Sequence, residues 1–171
     1  DNRRIIIVTE VIFLAAFLFW AWVRAMDPDI AGTEKPMDFA FLNAIMRSTY
    51  FPPYDPWFSG QAISYYYFGY LVMGVMTKAT GVAPGIGFNL SLALLFALTA
   101  TGAFSLVHCL VRGTGGGARA AMGFGLVVVA LLLFLSNLET VLEVAYAQGL
   151  GSEGFWGWVG IKGLADPSGM G

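Results

Sequence analysis

Five carboxylates, Asp27, Asp29, Glu34, Asp38 and Asp55, fall within 29 residues directly after an apolar run. Among them stand Pro28, Pro36, Pro52, Pro53 and Pro56, and each proline ring fixes φ and stiffens the chain. A carboxylate held rigidly at a membrane boundary can act as general base toward an acceptor hydroxyl. It can also bind a divalent cation that neutralises the phosphate leaving group of a lipid carrier. The plain alternative is a solvated surface loop. Glu34 and Asp38 form the sharpest pair, four residues apart at the head of "EKPMDFAFLNAIMRS", where a helix dipole favours negative charge. Lys35 and Arg47 flank them and would steer an anionic substrate. Simple acidic capping of a helix N-terminus explains the same pair without chemistry.

The second concentration of reactive types is "SYYYFGY", residues 64–70, which follows "PPYDPW". Successive tyrosines on a helix point about 100° apart, so Tyr65, Tyr66 and Tyr67 cannot share one orientation. Some suit the lipid headgroup layer, and at least one must turn inward, where its hydroxyl needs a partner. Tyr66 and Tyr70 form one stripe, and Gly69 leaves a gap beside Tyr65. The inward rings are expected to wall a site facing Asp38 and Asp55, with Trp57 as a further stacking surface. Glu10 lies roughly 9 Å beyond Arg4 if the run is helical, a depth at which a carboxylate needs a partner or a polar cavity. His108, beside the single Cys109, has no second ligand in the pattern and reads as an interfacial histidine.

These residues need elements to hold them, and composition names the class. Of 171 residues, 57% are hydrophobic and 12% charged, with a net charge of −2, which is too apolar for a water-soluble domain of this size. An all-α membrane protein with about four transmembrane helices is expected. The nine basic residues form no run, so nucleic acid is excluded as a partner and membrane lipids are the expected surroundings. Residues 5–23 suffice to cross about 30 Å of hydrocarbon as a helix. Their length and the lack of an A-x-A site before Arg24 favour a retained anchor over a cleaved signal. Residues 24–61 form the long polar loop, in which Phe39, Leu42, Ile45 and Met46 recur at helical spacing and predict a short amphipathic helix on the membrane surface.

Further helices are predicted over 62–79, 84–111 and 120–146, the last leaving hydrocarbon at Asn137, Glu139 and Glu143. Glycines at 151, 154, 157, 160 and 163 mark the tail 147–171 as a smooth-faced or turn-rich loop. Positive charges divide four against five across the membrane, and only Arg3 and Arg4 beside the first helix favour an inside N-terminus. A chain that opens at Asp1 without methionine reads as a single membrane domain, the N-terminal part of a longer multipass protein.

Residues 28–81 carry an ordered set of motifs, "GTEKPMDFAFLNA", "PPYDPW" and "YYYFGY", and with the later "NLETVLE" and "GFWGWVGIKGL" the chain resembles the prokaryotic "YYY" membrane proteins, named for their tyrosine triplet. That family is distantly similar to GT-C glycosyltransferases, in which a loop between the first two membrane helices carries an acidic catalytic motif. The resemblance implies a prokaryotic plasma-membrane transferase using a polyprenyl-phosphate-linked sugar. Asp38 or Glu34 would be the base, and Lys35, Arg47, Asp55, Trp57, Tyr65, Tyr66 and Tyr67 would bind substrate. The cofactor is left open, with a divalent cation admissible. The competing expectation is a non-catalytic subunit of a larger membrane complex.

Overall fold

The computed structural model describes residues 2–32, 34–58, 60–135, 142, 145, 146 and 148–159. Six α-helices occur among them: α1 (Asn2–Met26), α2 (Lys35–Arg47), α3 (Phe68–Thr80), α4 (Pro84–Gly113), α5 (Ala118–Ala130) and α6 (Glu153–Val159). A π-helical turn, Leu131–Leu135, continues α5. No strand occurs among the described residues, where an isolated antiparallel bridge joins Tyr54 to Ala62. The protein is all-α, as its composition predicts.

Among the described residues three segments are long and apolar enough to cross a membrane: Arg3–Met26, Pro84–Gly113 and Ala118–Leu135. The sequence predicts a fourth over 62–79, but the helix begins at Phe68 and has 13 residues, about 20 Å of rise against about 30 Å of hydrocarbon. The reason for the late start is backbone pairing. The Ile63 N–H donates to the Pro53 carbonyl at 2.9 Å and the Asp55 N–H to the Gln61 carbonyl at 2.9 Å, which holds this stretch extended. Ile63 is buried there, so tertiary packing uses it before a helix can. At the other end Gly81 stops α3 with φ of 69°, donating to the carbonyls of Thr77 and Lys78. Only glycine takes this left-handed conformation without strain.

The chain divides into two compact units, 1–102 and 103–171, and the boundary falls inside α4. In the first, α2 forms within the polar loop where the apolar spacing predicts it. It does not rest on a membrane surface alone, because its stripe of Phe41, Leu42 and Ile45 is buried against α3. The contact is close because Gly74 stands opposite. A Cβ there would lie 3.3 Å from Ile45 Cγ2 and 3.6 Å from Leu42 Cδ1. Trp20 of α1 stacks on Phe96 of α4, with centroids 4.6 Å apart. Within α4, Ala93, Ala97 and Ala100 form a fully buried stripe of small residues, the composition that lets membrane helices approach closely. Ser91, Thr99 and Thr101 return their hydroxyls to the carbonyls four residues back, so no polar side chain in these turns is stranded in hydrocarbon.

In the second unit, Phe104 is fully buried and its ring fills the space that a Cβ on Gly125 would occupy, at 2.7 Å. His108 stacks on Phe104, with centroids 6.0 Å apart, as a packed histidine would. The tail corrects the turn-rich reading: residues 153–159 are helical despite Gly154 and Gly157. Trp156 supplies the reason, being buried among Tyr146 and Phe155, so aromatic packing outweighs poor helix propensity. Asn137, Glu139, Glu143, Gly160 and Gly163 lie outside the described residues.

Candidate functional site

Helical periodicity places Asp38 on the apolar stripe of α2. On α2 the residues three, four and seven positions beyond it are Phe41, Leu42 and Ile45, the stripe that faces α3. On α3 the matching positions are Tyr70, Gly74 and Thr77, spaced by four and three. The α2–α3 crossing therefore brings the one acidic residue of the stripe against a tyrosine. The Tyr70 hydroxyl donates to Asp38 Oδ1 at 2.6 Å. Among the described residues no donor meets the second oxygen, Oδ2. The carboxylate is thus oriented by one partner and keeps a free acceptor edge.

Aromatic rings fix both members. Phe41 lies between Tyr65 and Tyr70, with centroids 5.6 and 5.8 Å away. Tyr65 in turn stacks on Tyr66 at 3.9 Å and donates its hydroxyl to the Tyr66 oxygen at 2.5 Å. That bond holds the neutral phenol of Tyr65 and pushes its pKa up to about 12, with desolvation and the negative charges of Glu34 and Asp38 adding to the effect. The raised value makes the folded state keep a proton that the unfolded chain releases from about pH 10 upward. Stability from this phenol is complete below pH 10 and is lost as pH rises through about 12. A Tyr66→Phe variant removes the acceptor, so ultraviolet titration of phenolates should show one fewer high-pH ionisation, with Tyr65 moving down toward 10.0.

Asp38 stands on a cavity of about 380 Å³. Its lining combines the polar side chains of Asp38, Tyr66, Tyr70 and Ser91 with the apolar Phe68, Met73, Phe88, Leu92 and Leu95. Gly69 opens the wall, since nothing lies within 4 Å of a Cβ built there. Phe39 of α2 meets the lining residue Phe88 of α4 edge to face at 5.7 Å. A second cavity of about 380 Å³, almost wholly apolar, lies among Phe13 and Phe17 of α1, Met76 and Thr80 of α3, and Leu90 and Leu94 of α4. Ser91 lines both. A mostly apolar cavity that also presents a carboxylate and phenol hydroxyls offers both kinds of surface that an amphiphile carries.

The remaining sequence candidates are distributed differently. Glu34 is the exposed N-cap of α2 and makes no side-chain capping bond, while Lys35 opens the helix. Arg47 ends it, nine residues and so about 13 Å of helix beyond Asp38. Asp55 turns its own loop, with Oδ1 accepting from the backbone N–H of Trp57 at 2.8 Å and of Phe58 at 3.1 Å. Trp57 is exposed, and Tyr67 is the N-cap of α3; neither lines the Asp38 cavity. Among the described residues no three His, Cys, Asp or Glu side chains form a group that could hold a metal.

Tyr70 was legible only as the far end of the Tyr66 stripe, and its partner became visible once α2 lay on α3. A Tyr70→Phe variant keeps the ring packing but frees Asp38. It should lower any activity that depends on the carboxylate's orientation by about tenfold, with little change in melting temperature. Arg24 and Asn89 were missed altogether. Arg24 is 8% exposed, and its Nε donates to Asn89 Oδ1 at 2.8 Å. The available signal was an asparagine placed early in an otherwise apolar helix, which needs a partner there.

The fold and this site define an all-helical membrane protein with a carboxylate in the lining of a largely apolar cavity. More particularly, the chain belongs to the family described as Uncharacterized membrane protein (DUF2298), the YYY family, which it matches over residues 1–161. No curated protein and no solved structure matches it.

Proposed function

We propose that the protein is a multipass glycosyltransferase of the prokaryotic plasma membrane that takes its sugar from a polyprenyl-phosphate carrier. The observation that supports this reading is the Asp38 carboxylate, oriented by Tyr70 with Oδ2 unoccupied, in the lining of a largely apolar cavity. In this mechanism the isoprenoid lies along Phe68, Met73 and Leu95, and the sugar sits at the mouth against the exposed face of Tyr66. Asp38 Oδ2 accepts the proton of the acceptor hydroxyl as its oxygen bonds to the anomeric carbon. The carbon–oxygen bond to the phosphate breaks, and the polyprenyl phosphate leaves with the electron pair. Tyr70 acts on the reaction through Asp38, which its hydroxyl orients by donating to Oδ1. Glu34 lies near enough to add negative charge around Tyr65, and Lys35 offers a cation on the same turn. The test is transfer from a radiolabelled polyprenyl-phosphate sugar by the complete protein in proteoliposomes, wild type against Asp38→Asn. Undiminished transfer by the variant would remove Asp38 as the base.

A further inference from the structure

We propose that Arg24 is the seat of a second, separate site, one that binds the phosphate of an anionic lipid. Arg24 lies in the last turn of a helix whose apolar span runs from Arg3 to Met26, which places it at headgroup depth. An arginine there ordinarily extends its head into water. Arg24 instead is 8% exposed. Its Nε donates to Asn89 Oδ1 at 2.8 Å and its Nη2 to the Asp29 carbonyl at 3.0 Å. Asn89 is itself fixed, its Nδ2 donating to the carbonyls of Pro28 at 3.0 Å and Gly85 at 3.1 Å.

These partners orient the guanidinium but do not neutralise it. Among the described residues no carboxylate pairs with Arg24, and the Asp27 and Asp29 side chains are exposed. A buried cation met only by neutral oxygens is costly, and a charged partner from outside the chain offsets that cost. The guanidinium has donors left to offer one, since a planar fork carries five N–H groups and Nη1 makes no bond within the described chain. No fully buried side-chain nitrogen in the described chain lacks a partner, so Nη1 retains accessible surface.

Beside it is a cavity of about 210 Å³ whose other walls are Ala21, Ala25, Pro28, Ile86 and Leu90, apolar throughout, with Asn89 at the edge. A planar donor pair suits a phosphate, and the apolar walls suit the first carbons of an acyl chain. The two together fit a phospholipid better than a free anion. This cavity shares no lining residue with the Asp38 cavity, and the inference does not rest on the transferase reading.

The test uses the complete protein in detergent and native mass spectrometry, with three probes: dioleoyl phosphatidic acid, dioleoylglycerol and inorganic phosphate. Phosphatidic acid should be retained about tenfold more than dioleoylglycerol, which has the same tails and no phosphate. Because Arg24 also ties α1 to α4, Arg24→Gln can unfold the protein, so Ala25→Trp serves as the second variant. Ala25 is exposed, and a tryptophan there fills the cavity while leaving both Arg24 bonds in place. With its melting temperature unchanged, it should lose about nine-tenths of the retained phosphatidic acid. Displacement of the lipid by millimolar inorganic phosphate would assign the site to the free ion and overturn the lipid assignment. Equal retention of the two lipids, or full retention by a folded Ala25→Trp, would overturn the proposal.

Discussion

Asp38→Asn is expected to lower sugar transfer by roughly 10²- to 10⁴-fold, the range over which a positioned general base contributes. The substitution is nearly isosteric and keeps a carbonyl oxygen to accept from the Tyr70 hydroxyl, so the α2–α3 crossing stays closed. What changes is a charge-assisted bond becoming a neutral one, a loss of about 1 kcal/mol. The rate should therefore fall far more than the stability does. Donor binding should hold, because the apolar lining is untouched. Measured as initial rates in proteoliposomes alongside thermal melts, a loss of rate matched by a collapsed melting temperature would mean that Asp38 is a structural residue. A preserved rate would mean that the proton goes elsewhere. Tyr70→Phe provides the complementary contrast, since it leaves the carboxylate charged and removes only its orientation.

The second large effect belongs to packing. Gly87→Ala should destabilise the first unit by about 1–3 kcal/mol, the usual cost of overpacking. A Cβ at this position meets the Thr77 hydroxyl in direct overlap and Thr77 Cγ2 at 2.5 Å. Thr77 cannot turn aside easily. It is β-branched and buried, and its hydroxyl is bonded to the Met73 carbonyl at 2.8 Å. Removing both offending atoms leaves Thr77 Cβ at 3.0 Å, a contact that small shifts absorb. The double variant Gly87→Ala with Thr77→Ala should therefore recover most of the loss, and the coupling in a double-mutant cycle should exceed about 0.5 kcal/mol. Additive losses would show that α3 and α4 do not meet through this pair.

Both predictions depend on registers that a linear reading sees only in part. The apolar spacing in "MDFAFLNAIMR" sufficed to predict α2, because Leu42 and Ile45 recur at the period of a helix that buries one face. Its partner was not legible. Nothing in the pattern says that the stripe faces another helix and not lipid, since both surroundings are apolar. Gly74 decides it by its lack of a side chain, and a single glycine in a membrane segment is ordinary in sequence. The start of α3 was misplaced for a related reason. Ala62 and Ile63 extend the hydrophobic run, but Ile63 donates its backbone N–H to Pro53, a contact ten residues back that no local propensity encodes. Asp38 could be singled out by its position in a helix's first turn, whereas Tyr70 and the pair of Arg24 with Asn89 needed the tertiary structure. The last of these joins residues 65 positions apart.

Ser91 carries one more consequence. It borders both of the larger cavities, and its hydroxyl is tied back to the Gly87 carbonyl at 2.7 Å. The residue common to both linings is thus a side chain of two heavy atoms whose polar group is already engaged with its own helix. If the carrier is an isoprenoid, as proposed, one too long for the Asp38 cavity finds a second cavity of like size bordering the same residue. On the proposed transferase reading, tail length would be gauged at Ser91: a bulkier residue there is expected to shorten the longest carrier accepted while leaving Asp38 in place.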